Sequence, residues 1–277
     1  MSELVPEARA AWAIARKNLR ILVRYRLNAV NLVLQPIYQS LIPGLLLGAT
    51  FAVGGRAVGL AETAGTDDVA GFLFLGMLAA TLVYAGFWGV AFEIKREMDA
   101  GTLEPAWLTP TRRETFVVGM TLGGVIVAVV TAAVLVGIGI AFFGAGVAPR
   151  VLVALPALAL AAVGVLGIGY LIGAIVLRMR DANFFVDSAD FIVIVLSGVA
   201  FPIVVLPEAV QVVSYLLPTT YAVDLMRVHA LGTPPLLPIW AEWLALAAAS
   251  VGLVVVGRLA WLRTEHHLRV RGTLGEH

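Results

Sequence analysis

The sequence predicts an all-α integral membrane protein: six transmembrane helices, an N-terminal amphipathic interfacial helix, and re-entrant half-helices between spans five and six. Three observations predict it. Hydrophobic residues make up 60% of the 277 and charged residues 13%, where soluble domains carry about 25% charged residues. A water-soluble fold of this size cannot hide so much apolar surface. The charges stand in short runs with long uncharged gaps between them, and Lys and Arg collect on one side of the resulting frame. A net charge of +1 and the lack of Cys exclude a basic nucleic-acid binder and a disulfide scaffold.

The gaps set the spans. There are 29 uncharged residues between Arg26 and Arg56, 24 between Asp68 and Glu93, 35 between Glu114 and Arg150, and 27 between Arg150 and Arg178. Each exceeds the roughly 20 residues that cross hydrocarbon as a helix. They predict spans at 29–52, 70–92, 116–143 and 151–177. Residues 184–204 make a fifth, with Asp187 and Asp190 in its first turns. Residues 239–262 make the sixth, with Glu242 and Arg258 near its ends and Trp240, Trp243 and Trp261 as interfacial anchors. Arg258 must then snorkel.

Residues 205–238 resemble a seventh span in hydropathy, but Pro207 and Pro218 bracket a ten-residue piece, and Glu208, Asp224, Arg227 and His229 interrupt the rest. Proline breaks a helix, so two short half-helices on the outer side are expected, their irregular backbone buried in protein. With six spans, sixteen Lys and Arg fall on one side and only Arg56, Arg150 and Arg227 on the other. The positive-inside rule places the sixteen, and both termini, in the cytoplasm of a cell membrane. A seventh span would carry the basic tail, 263–277, outside.

The N-terminal stretch has no apolar run of the signal-peptide kind. As a helix over 7–27 it gathers Trp12, Ala15, Leu19, Leu22 and Val23 on one arc and Arg9, Arg16, Lys17, Arg20 and Arg24 on the next. It is expected to lie on the inner leaflet, as an anchor or as part of a gate. Within the cytoplasmic loop 93–114, Gly101 is expected to end the helix of span two and Thr102 to N-cap a short helix at 103–108. Thr111 with Glu114 forms a capping box for span three. Leu103 and Trp107, four apart, give the short helix an apolar face together with Leu108. That face would meet headgroups or another protein.

The loop, with Lys95-Arg96-Glu97, Gly101-Thr102-Leu103-Glu104 and Thr109-Pro110, resembles that of permease subunits of type 2 ABC exporters. A second match follows at Ser197–Pro202, Leu206-Pro207, Leu217-Pro218 and Thr220–Arg227. The resemblance runs nearly end to end. It implies that the loop carries a coupling helix seated in a cleft of a cytoplasmic ABC ATPase, with Arg96, Glu97, Gly101, Thr102, Leu103, Glu104 and Trp107 as contact candidates. Pro105 departs from the pattern and shifts that contact by up to a turn. The resemblance also implies a proline-rich external half-helix motif, carried here by Pro202, Pro207, Pro218, Tyr221, Asp224 and Arg227. It further implies a homodimer with the substrate path between the two copies.

The sequence contains no G-x-x-x-x-G-K-[ST] loop: its two lysines, Lys17 and Lys95, do not follow Gly. No cofactor is therefore expected in this chain, with ATP and Mg on the partner subunit. No metal site is expected at His266 and His267. No serine stands in G-x-S-x-G, so the chain is not expected to be an enzyme. An ion-coupled carrier is the rival reading, but carriers of that kind show internal repeats and none is visible. Asp187 and Asp190, three apart, read either as an ion relay or as acids favoured by a helix start. Asp224 and Arg227 are expected to pair. Gly44/Gly48, Gly119/Gly123 and Gly169/Gly173 are expected to pack helices within the chain. Uncharged walls favour an apolar or amphipathic cargo, and the Arg-over-Lys excess suggests a prokaryotic source.

Overall fold

The computed structural model describes residues 4–50, 58–143, 147–179 and 183–271. Among these there are helices and turns only. Four helices are long and apolar enough to cross a bilayer: Val69–Asp99, Arg113–Ala141, Leu155–Val176 and Ile239–Leu268. They correspond to the second, third, fourth and sixth predicted spans.

The chain opens with α1 (Leu4–Arg24). It lies along α7 (Arg113–Phe143), and its buried residues are Ala11 and Ala15. The backbone at Ala11 and Ala15, one turn apart, meets Gly119 and Gly123 of α7, with the Ile14 side chain also on Gly119, so the backbones approach closely. The apolar arc expected from the sequence splits here: Ala15 is buried, while Trp12 and Val23 are exposed. A close helix–helix contact selects small residues at the seam, and Ile14, Leu19 and Leu22 are half-buried beside it.

Where one first span was expected, the helix comes in pieces. The helix α2 (Arg26–Pro36) runs into a π turn (Ile37–Leu41) and then α3 (Ile42–Thr50). Pro36 and Pro43 remove two backbone donors, which accounts for the local rewinding. The expected end of this span, residues 51 and 52, lies outside the described residues, as do Arg56, Arg180 and the tail beyond Arg271. A short helix, α4 (Val58–Ala64), leads to α5 (Val69–Asp99), which Asp68 caps by accepting from the Gly71 N–H at 2.8 Å.

The centre of the bundle is α8 (Val147–Val176), flanked by α5, α7 and two later helices, α11 (Pro218–Leu231) and α12 (Ile239–Arg271). Closest is α12, where Gly167 and Gly257 face one another. A Cβ on either would collide with the opposite backbone. The three expected glycine pairs also pack within the chain: Gly44 and Gly48 on Leu73 and Val69, Gly169 on Thr121, Gly173 on Trp261.

The fifth predicted span is shorter than expected. Its helix, α9 (Asn183–Leu196), has 14 residues, about 21 Å at 1.5 Å per residue, against about 30 Å of hydrocarbon. It stops at Gly198, whose φ of +73° leaves the helical region. A 3₁₀ turn (Ile203–Val205) and α10 (Glu208–Ser214) follow before α11. Two separate short helices thus occupy the stretch between α9 and α12. Beyond residue 262 the expected tail continues α12 to Arg271.

Candidate functional site

At the corner between α5 and α7 the chain forms α6 (Leu103–Trp107). The end of α5 is built as the sequence predicts. Gly101 has φ +65°, and its N–H donates to the Met98 carbonyl while the Thr102 N–H reaches Glu97 O at 2.9 Å. Two carbonyls at the end of α5 are thereby satisfied in the Schellman pattern. The Thr102 carbonyl then accepts the first bond of α6, from Ala106 at 3.1 Å. The Thr102 hydroxyl points backward rather than forward: it donates to the Glu97 carboxylate, not to α6. Pro105 sits in the first turn, where no donor is missed.

The orientation of α6 corrects the sequence reading. Its apolar face does not look outward. Trp107 is 7% exposed and belongs to a core with Ile94, Val117, Tyr170 and Trp261, and Leu103 packs against the same cluster. The Trp107 ring meets Trp261 of α12 edge-on, and the Arg113 guanidinium lies 5.0 Å from its centroid. Burial in this core outweighs the alternatives, because α12 supplies an apolar wall that the local sequence cannot reveal. Exposed at this corner are Arg96, Gly101, Thr102, Pro105 and, at 82%, Leu108. The side chain of Glu104 lies outside the described ones.

Charge pairs tie the corner to distant helices. Lys17 of α1 donates to Glu97 and lies 3.9 Å from Glu93. Arg96 also bonds Glu93, one turn back. Glu97 therefore holds α1 with one oxygen and Thr102 with the other. The expected capping box at Thr111 and Glu114 does not form. Instead Glu7 of α1 accepts from the Arg112 N–H at 3.3 Å and from the Thr115 hydroxyl. Glu114 is turned to Arg258 of α12, with bonds of 3.0 and 3.2 Å, and Arg113 reaches Glu265 at 3.1 Å. A carboxylate from another helix thus does the capping, which frees Glu114 for α12.

Arg227, of the second predicted constellation, is bonded by residues outside that set. This guanidinium is 4% exposed. It donates to Gly198 O at 2.6 Å, Val199 O at 2.7 Å and Phe72 O at 3.1 Å, with its plane 3.3 Å from the Phe72 ring centroid. Asp224 is not its ion-pair partner: it accepts the Leu236 N–H at 3.0 Å. Two carbonyls just past the end of α9, with the Phe72 carbonyl of α5, bond the guanidinium in place of the carboxylate. Tyr221 donates to Tyr215 O at 2.7 Å. Pro218 starts α11 and packs against Gly164 of α8, Pro207 precedes α10, and Pro202 precedes the 3₁₀ turn.

A family model described as ABC-2 type transporter matches residues 9–231. The chain belongs to that family. No curated protein matches it. In this ABC-2 transporter chain the matched region takes in α1, the α5–α7 corner and the Arg227 constellation together. Among its described residues no group of three His, Cys, Asp or Glu side chains is placed to hold a metal ion.

Sequence reasoning missed three parts of this ABC-2 transporter chain. Lys17 and Glu7 join α1 to the corner, and only the rarity of lysine could have drawn attention to the first. Glu242 is fully buried in α12, although its position at a span end suggested water. The third is a cleft of about 680 Å³ between α1, α2, α5, α7 and α9, lined among others by Asn31, Gln35, Tyr84, Trp88, Asp187 and Asp190.

Proposed function

We propose that the chain is the membrane-spanning permease subunit of an ATP-driven ABC exporter, working as a homodimer with separate cytoplasmic ATPase subunits. The observation that carries this reading is the α5–α7 corner. A five-residue helix is anchored from within by Trp107 on Trp261 and braced by Lys17, Glu97 and Arg113. Its outer side offers Thr102, Pro105 and Leu108. A push on that side would load α1, α5, α7 and α12 together, because each is bonded to the corner. In this reading Leu103 and Trp107 are anchors, Glu97 is a brace, and the ATPase meets Gly101, Thr102, Pro105, Leu108 and Arg96.

The membrane frame of this proposal keeps six spans. The pieces α2, π turn and α3 form the first, α9 with its following turn the fifth, and α10 and α11 dip from the outer side. Both termini then lie in the cytoplasm of a cell membrane. ATP and Mg act on the partner subunit, and the chain itself carries out no catalysis. The cargo is amphipathic.

Co-purification tests the proposal. The chain is tagged, extracted from its native membrane in mild detergent, and its companions identified by mass. A stoichiometric ATPase carrying a P-loop is expected, lost on Leu108→Glu. A chain that emerges alone from every detergent would sink the ATP-driven reading in favour of an ion-coupled carrier.

A further inference from the structure

The cleft of about 680 Å³ falls within the size range of pockets that take drug-sized ligands, about 300–1,000 Å³. Its lining has a particular chemistry. Tyr84, Trp88 and Phe92 follow one another at four-residue steps on α5, so they share one face. Their rings form a ladder, Tyr84 to Trp88 at 6.2 Å and Trp88 to Phe92 at 4.5 Å, each pair tilted by 31°. Opposite them, α9 contributes Asp187 and Asp190.

These acids are not explained by the helix start. Asn183 is the first residue of α9, so Asp187 and Asp190 lie beyond the first turn, where the dipole's effect has faded. Among the described residues neither carboxylate has an ion pair. Asp190 Oδ1 is buried without a hydrogen-bond partner, and so are both amide atoms of Asn18, which lines the same cleft. The cleft lining contains no Lys or Arg among the described residues; its third acid, Glu93, is already engaged by Arg96 and Lys17. Asp187 is exposed at the cleft and Asp190 is half-buried, its other oxygen hydrogen-bonded by the neutral Trp88 side chain. Neither has a counter-charge among the described residues, and acids in an apolar setting are costly unless a cation answers them. An aromatic face beside them favours a cation further.

We propose that this cleft binds a membrane-soluble organic cation, its charge held by Asp187 and Asp190 and its apolar body lying on Tyr84, Trp88 and Phe92. A neutral glycan would satisfy the amides but leave both acids without a counter-charge. An anion would be repelled. That the bound cation is also the transported cargo rests on the permease reading above; the binding chemistry does not.

Tetraphenylphosphonium and tetraphenylborate are close in shape and opposite in charge, which makes them suitable probes. Each is titrated separately into the full chain in nanodiscs of neutral phosphatidylcholine, and bound ligand is counted. Saturable binding of the phosphonium and none of the borate is expected. Asp187→Asn with Asp190→Asn should weaken the phosphonium by about tenfold or more, the scale of one lost charge contact. Asp187→Asn alone changes an exposed residue and keeps the test valid if the double variant does not fold. Asp67→Asn, an exposed acid remote from the cleft, should bind as wild type.

Equal binding of both probes, or equal phosphonium binding by wild type and the Asp187→Asn variant, would overturn the proposal. The co-purification result stands apart from both outcomes. A chain that brings an ATPase but ignores the acids keeps the permease reading and loses the cation. A chain that binds the cation through the acids but brings no ATPase does the reverse.

Discussion

The indole of Trp107 meets that of Trp261 edge-on, ring centroids 6.5 Å apart and planes at 81°. One ring belongs to the five-residue helix between α5 and α7, the other to α12 some 150 positions later in the chain. The pair joins the exposed corner to the helix packed most closely on the bundle centre. A short helix cannot hold its own shape in water, so α6 depends on this contact.

Trp107→Ala should therefore cost the fold about 3–5 kcal/mol, the usual range for truncating a buried Trp. The expected readout in detergent is a lower melting temperature together with faster protease cleavage within residues 100–112. Trp107→Phe keeps an aromatic edge against Trp261 and should lose less. A Trp107→Ala chain that melts with the wild type would mean that Trp107 does not anchor the corner.

Glu97 carries a different prediction, because its partner Lys17 is partly exposed. An ion pair of that kind is worth at most about 1 kcal/mol, so Glu97→Lys should barely move the melting temperature. It places a cation beside Lys17 and releases α1 from the corner, and proteolysis near residue 25 should rise. Adding Lys17→Glu restores the pair with its sense reversed. If the double variant is as protease-sensitive as the single one, the Lys17–Glu97 bond is not what holds α1.

The corner also shows how far sequence reasoning reached. Gly101 announced the end of α5, since only glycine takes φ +65° without strain, and Pro105 was compatible with a first turn. Which way Leu103 and Trp107 faced was not legible: one helical turn has two sides, and the wall that decided between them is Trp261. Likewise Thr111 and Glu114 had the spacing of a capping box, yet Glu7 and Arg258 took their places from distant parts of the chain. Three of the long uncharged gaps fall on the long helices α5, α7 and α8, where length and composition agree. What the sequence did not show is the π turn after Pro36 and the early stop of α9 before Gly198, both inside apolar runs. Asp187 and Asp190 were visible as a pair, but the aromatic ladder they face lies on another helix.

Arg227 tests the segment between α9 and α12. Its four hydrogen bonds to three backbone carbonyls use the planar guanidinium fork, which an ammonium cannot reproduce. Arg227→Lys should thus destabilise nearly as much as Arg227→Ala. Leaving these buried carbonyls unpaired costs about 1–3 kcal/mol for each group. Thermal unfolding in detergent measures it. A lysine variant with wild-type stability would show that charge alone suffices, and that the carbonyl geometry does not matter.

Topology can be tested without background, because the sequence has no cysteine. Gly65 is a poor site for one, since its φ is +68° and a Cβ there would press on Pro234. Glu62, exposed in α4, and Thr109, exposed at the corner, are better. In the six-span frame the first faces outward and the second the cytoplasm. An impermeant maleimide should therefore label Glu62→Cys in intact cells, and Thr109→Cys only after the membrane is opened. Labelling of both in intact cells would place the α5–α7 corner outside, where no cytoplasmic ATPase can reach it. Labelling of Thr109→Cys alone would invert the frame and take the positive-inside assignment with it. The distribution of sixteen basic residues against three weighs for the first outcome, and α5, continuous from Val69 to Asp99, is long enough to keep the two sites on opposite sides.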